Sequence, residues 1–185
     1  MKTDRPSIQG TTPTYAPLPF LRNGIAQVAI LVPDLDEAVR VYWEHFGIGP
    51  WHIYTYQRPL VREMSYRGAP ADYAMRIALS YFGPMRVELI QPLSGDSIYT
   101  DHVREHGYGV HHFGLLVDDM DPALAAAKES GLDVTQDGSG FGLHGDGHYA
   151  YLDTERLIGV ALELIERPSD RREPEAIYPQ PEGED

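Results

Sequence analysis

Four polar side chains sit in apolar runs that repeat along this 185-residue chain: Gln27 in "AQVAILVPDLD", Glu88 in "VELIQP", His112 in "VHHFGLLVDDMD" and Glu163 in "LELIERP". Gln27 and His112 lie 85 positions apart, and the same offset aligns Val32 with Val117, Asp34 with Asp119, Asp36 with Asp121 and Ala38 with Ala123. Glu88 and Glu163 match at an offset of 75, so the second copy is shorter in its middle. Side chains alternate across a strand. Gln27 therefore shares a face with Ala29 and Leu31, His112 with Gly114 and Leu116, while Glu88 lies opposite Val87 and Leu89 and Glu163 opposite Leu162 and Leu164. If the copies pair about a pseudo-twofold axis, amide, imidazole and two carboxylates converge.

Two carboxylates buried together need a compensating charge, because an unpaired buried carboxylate costs several kcal/mol. A divalent cation would supply it. One nitrogen and three oxygens form a mixed donor set suited to Zn, Ni, Co, Mn or Fe, and the lack of sulfur ligands argues against a purely structural zinc. Such a cation beside carboxylates suits removal of a proton α to a carbonyl. The expected metal ligands are Gln27, Glu88, His112 and Glu163; the expected catalytic residues are Glu163 as base and Glu88 on the opposite face. The expected partner is a small-molecule carbonyl substrate.

The elements that must position these residues follow from pattern. Each copy opens on an apolar, β-branched strand (25–32; 110–117). A helix follows: Asp34 with Glu37 forms a capping signal, apolar residues from Leu35 to Phe46 recur at 3-4 spacing, and Gly47 offers a stop. The second helix is expected over about 121–130, with Asp121 as its cap before Pro122. Three strands then follow in each copy, at about 51–57, 74–82 and 85–91, and at about 133–136, 148–153 and 159–166. The fold class expected is α+β, two tandem βαβββ modules closing a half-barrel cup. The expected divisions are an N-terminal arm over 1–22, a first module over 23–95, a linker and second module over 96–168, and an extended or disordered tail over 169–185. The arm could lie across a partner subunit.

Trp51, Tyr54, Tyr56, Tyr149 and Tyr151 are expected to wall the cup as a substrate pocket for a bulky apolar or aromatic acyl group. His111, of opposite parity to His112, is read as structural, and "HGDGH" at 144–148 as a turn. His102 and His106, in a polar stretch, are expected to be exposed. Arg58, Arg62, Arg67, Arg76 and Arg86 are read as surface arginines available to an anionic substrate.

Fifteen basic against 28 acidic residues give a formal charge of −13, which repels phosphate backbones and anionic lipid, so neither nucleic acid nor membrane is an expected partner. There is no cysteine, hence no disulfide framework or thiolate chemistry. With no apolar leader at residues 1–20 and no run of about 18 apolar residues, the expected location is cytoplasmic.

The duplicated pattern, with "VAILVPDLDEAVRVYWEHFGI" and "GVHHFGLLVDDMDPALAAAKESGLDV", resembles the vicinal oxygen chelate superfamily, which includes glyoxalase I, methylmalonyl-CoA epimerase, extradiol dioxygenases and antibiotic-resistance proteins. The likeness covers about 24–166. The wording "HGYGVHHFGLLVDD" with "VELIQP" looks like the methylmalonyl-CoA epimerase branch, whereas the Gln/Glu/His/Glu set is similar to that of the animal-type, zinc-using glyoxalase I. The resemblance implies a metal on these strands, a mobile glutamate at Glu163 and a homodimer. Gln27 in place of a histidine breaks the two-histidine, one-carboxylate triad of the dioxygenases. The activities it leaves are an isomerase or epimerase acting next to a carbonyl, such as that of an acyl-thioester, a glyoxalase-type lyase on a thiol hemiacetal, and metal-free binding of a small molecule.

Overall fold

The computed structural model describes residues 18–180. In chain order the elements are β1 (Gln27–Leu31), α1 (Leu35–Phe46), β2 (Trp51–Tyr56), β3 (Glu63–Tyr66), β4 (Ala69–Pro70), β5 (Ala74–Phe82), β6 (Met85–Ser94), α2 (Ile98–His106), β7 (Gly109–Val117), α3 (Met120–Glu129), β8 (Val134–Phe141), β9 (Gly147–Leu152), α4 (Glu155–Ile158), β10 (Ala161–Glu166) and β11 (Ala176–Tyr178). All strands join one sheet in the order β11-β2-β5-β6-β1-β7-β10-β9-β8-β3-β4. The first module supplies β2-β5-β6-β1 and the second β7-β10-β9-β8. They meet where β1 runs antiparallel to β7, while β1 and β6, and β7 and β10, pair in parallel. The two βαβββ modules of the repeat are thus present, in an α+β fold.

α1 and α3 each start where the repeat puts an aspartate. The Asp34 side chain accepts from the Glu37 backbone N–H at 3.0 Å, and Gly47 closes α1 in the left-handed region at φ 64°. The second helix begins one residue earlier than expected: Asp119, not Asp121, is its cap, accepting from the Asp121 backbone N–H. Asp119 is the position that the 85-residue offset aligns with Asp34. Both helices bury their apolar face on the convex side of the sheet, α1 against Val32, Trp51, Ile53, Val87 and Leu89, and α3 against Leu115, Ala150, Leu152 and Leu164. The concave side carries a third cluster rich in tyrosine, including Tyr54, Tyr56, Tyr99, Tyr149 and Tyr151.

Three strands go beyond the repeat, and they lace the modules together. The β3–β4 hairpin of the first module pairs with β8 of the second, and β11, in the segment expected to be extended or disordered, pairs with β2 of the first. Each thereby covers a sheet edge that would otherwise present unpaired backbone groups. The tail crosses between the modules on further bonds: Leu143 N–H to Asp170 C=O, Arg172 to Gly142 C=O, and the backbone N–H and hydroxyl of Thr55 to the Glu175 carboxylate. The segment before β7 folds as α2, capped by reciprocal Ser97 and Thr100 bonds and packed through Tyr99 into the concave cluster. Of the N-terminal arm, Pro19–Leu21 forms one 3-10 turn with Phe20 buried against the α3 cluster; residues 1–17 lie outside the described residues. Among the described residues no helix is long and apolar enough to cross a membrane.

Candidate metal centre

Gln27, Glu88, His112 and Glu163 stand on β1, β6, β7 and β10, four adjacent central strands, and all four are buried. Register explains the convergence. Ala29 pairs with Glu88 on one side and with His112 on the other, and Gly114 lies between Gln27 and Glu163. A methyl group on Gly114 would come within 2.9 Å of the Gln27 Cβ and 2.7 Å of Ile165 Cδ1, so only glycine admits this packing.

His112 Nε2 lies 3.1 Å from Glu163 Oε2 and 3.4 Å from Glu88 Oε2, and all three ligand atoms fall within 4.8 Å of one another. Ligand atoms around a tetrahedral ion with bonds near 2.0–2.2 Å sit about 3.3–3.6 Å apart, so the spacing is close to what one such ion requires. Gln27 enters differently from a ligand. Its amide nitrogen, a donor, caps the three atoms at 2.8 Å from Glu88 Oε2, 3.0 Å from Glu163 Oε2 and 3.2 Å from His112 Nε2. Its oxygen accepts from Arg86 Nε at 2.5 Å. Because a guanidinium only donates, Arg86 dictates this orientation of the amide. Gln27 can offer its oxygen to an ion only by turning over and giving up Arg86.

The charges balance without an ion. Burial disfavours the His112 imidazolium, but Glu163 and Glu88 outweigh it and push the pKa up to about 9. Burial lowers the pKa of Arg86, with Glu88 opposing the shift, and a guanidinium stays charged at neutral pH. Two carboxylates thus face one imidazolium and one guanidinium. The opposite nitrogen of His112, Nδ1, is 3.0 Å from His111 Nδ1. Burial, first, and neighbouring His112 and His102 hold His111 well below the usual histidine pKa, so it is neutral and accepts the His112 proton, which leaves Nε2 aimed at the carboxylates.

His111 is the bulged residue of β7: the register passes from Ala29–His112 to Ile30–Val110, and its ring packs on Tyr99 and His102. The aromatic walls divide by strand parity. Tyr56, Tyr149 and Tyr151 line the space above the cluster, and Tyr54 the cleft leading to it. Trp51 does not belong there. Being of opposite parity to Tyr54 and Tyr56, it is buried on the convex side, edge-on to Tyr42 of α1. "HGDGH" forms the β8–β9 turn and enters β9 at Gly147.

The arginines also divide. Arg67 and Arg76 form surface ion pairs with Asp101 and Asp36, and Arg58 and Arg62 are exposed. Arg86 corrects the surface reading, at 4% exposure and in contact with the central cluster. Its sequence signal was parity with Glu88, two residues on. Arg167 and Arg171, from the segment after β10, line the same cleft as Arg86 and Tyr54.

The sequence profile of the Glyoxalase/Bleomycin resistance protein/Dioxygenase superfamily matches residues 26–151, and the chain belongs to that superfamily. Among curated proteins it is similar to the mitochondrial methylmalonyl-CoA epimerase of Mus musculus, 25% identical over 138 residues, which are 74% of this chain and 69% of that protein. Among solved structures it shares its fold with methylmalonyl-CoA epimerase from Mycobacterium tuberculosis (TM-score 0.58, 20% identity, 78% of this chain and 88% of the other). It shares it equally with the Streptomyces coelicolor methylmalonyl-CoA epimerase solved with 2-nitronate-propionyl-CoA (TM-score 0.59, 20% identity, 80% and 96%).

Proposed function

We propose that this chain is a divalent-metal-dependent epimerase or isomerase that moves the proton α to the carbonyl of an anionic acyl-thioester. The observation carrying the proposal is the pair of buried carboxylates flanking the His112 imidazole at the floor of a cleft, with three arginines on its way in. The curated relative named an epimerase supports the reaction class.

Glu88, His112 and Glu163 would hold the ion. When bound, it supplies electrostatic stabilisation of the negative charge that develops on the carbonyl oxygen. Glu163 takes the α proton, and Glu88, across the imidazole, holds or delivers a proton on the opposite face. Return by the second carboxylate inverts the centre; return by the first to a neighbouring atom isomerises. Arg86, Arg167 and Arg171 orient the acid or phosphate groups of the substrate and offset locally the repulsion of a chain with net charge −13. Tyr56, Tyr149 and Tyr151 keep water from the reacting carbon. As in the resemblance drawn from sequence, two copies are proposed to pair as a homodimer.

Methylmalonyl-CoA incubated with the protein in D2O tests the proposal. Deuterium should enter the α position in a manner that needs an added divalent ion and drops at least 100-fold in Glu163→Gln, the usual scale of a lost acid–base group. Absence of exchange with every divalent ion tried would overturn it. The glutamine at position 27 favours a second reading, lyase action on a thiol hemiacetal; methylglyoxal with glutathione tests it, and no turnover removes it.

A further inference from the structure

We propose that the chain has a second divalent-cation site, formed by His102 and His106 of α2 with Glu155 at the start of α4, of the two-imidazole, one-carboxylate class that takes zinc and its neighbours. The site uses none of the four central residues and does not depend on the proposed activity.

Residues four apart lie on one face of a helix, and the two imidazoles lie with centroids 4.9 Å apart and planes tilted at 53°. One carboxylate oxygen serves both: Glu155 Oε1 is 3.3 Å from His102 Nδ1 and 3.5 Å from His106 Nε2. All three candidate ligand atoms lie within 4.8 Å of one another. The two distances to Glu155 are those that tetrahedral coordination imposes, about 3.3–3.6 Å for bonds of 2.0–2.2 Å.

The second observation is an orphaned atom. His102 is not exposed as its polar surroundings suggested: its side chain is 12% accessible, and Nδ1, shut off from solvent, has no hydrogen-bond partner despite its distance to Glu155. A buried polar nitrogen without a partner costs about 1–3 kcal/mol. An ion between the three side chains would remove that cost.

The frame is rigid and the competing acids are engaged. The Ser97–Thr100 capping box fixes the start of α2, while Ile98, Tyr99 and Val103 anchor it on the concave cluster. Asp101 is held by Tyr66, Arg67 and Arg104, and Glu105 lies 3.6 Å from Arg104, so neither is free to complete or block the set. Three protein ligands leave a coordination position open toward a cleft lined by Asp153 and Arg156, the arrangement of an exchangeable rather than closed structural ion.

The test uses the full chain, stripped with chelator and titrated with Zn²⁺, beside His106→Ala and Glu155→Gln. Both replaced side chains are exposed, and melting without metal checks that each variant folds. The wild type should take up one equivalent more than either variant. In Glu163→Gln, where the central site is disabled, Zn²⁺ should still shift the imidazole nitrogen resonances of His102 and His106. Equal stoichiometry and affinity in wild type and both variants, or imidazole resonances unmoved by Zn²⁺, would overturn the proposal.

Discussion

Arg86 sets the character of the central cluster. By claiming the Gln27 oxygen it turns the amide nitrogen toward Glu88 and Glu163, and it brings a positive charge beside the place an ion would take. Arg86→Met should therefore act in two directions: the metal-free protein should lose about 3–5 kcal/mol, as when one partner of a buried charge pair is removed, while divalent ions bind more tightly. Chemical denaturation of the stripped protein and a metal titration read the two effects. His112 gives a second prediction, with its sign fixed by a pKa raised from the usual histidine value to about 9. In the metal-free protein its stabilising contribution, on the order of 3 kcal/mol, is complete below about pH 6.5 and is lost as pH rises through about 9. Melting temperature should fall across that window. For the same reason an ion binding at pH 7 must displace about one proton from His112. Calorimetry in two buffers of different ionisation enthalpy measures it.

The strands place these groups through alternation and register, and both were legible to different degrees. The repeat offset and strand parity suffice to gather Gln27, Glu88, His112 and Glu163, because a period of two leaves no freedom about which face each occupies. The same rule, applied to "WHIYTY", separates Trp51 from Tyr54 and Tyr56, and it aligns Arg86 with Glu88. The bulge at His111 follows no such pattern: it exists only in the pairing of β7 with β1 and brings both adjacent histidines inside. The α2 helix was hidden by its polarity, with apolar anchors only at Ile98, Tyr99 and Val103. The β3–β4 hairpin and β11 were hidden because their partners lie in the other module, which local sequence does not encode. Gly114 is a tightly packed point of the central strands. Gly114→Ala should cost about 1–3 kcal/mol through overpacking against Gln27 and Ile165, with metal affinity falling alongside stability.

Across the molecule, the tail after β10 joins the halves of the sheet and brings Arg167 and Arg171 to the cleft. Arg171→Ala, which removes a cation from the cavity wall and leaves Glu88, His112 and Glu163 in place, should raise KM for an anionic thioester while leaving kcat within a few-fold, the signature of lost binding shared by ground and transition states. Steady-state kinetics separate the two terms. The reading as a whole rests on Glu88, His112 and Glu163 acting together as a metal centre. Metal stoichiometry on the His106→Ala background, where the second cluster cannot contribute, tests it most directly. One divalent ion per chain should bind there, and adding His112→Ala should abolish it; a His106→Ala protein that takes up no ion, or one whose ion survives the loss of His112, would contradict it.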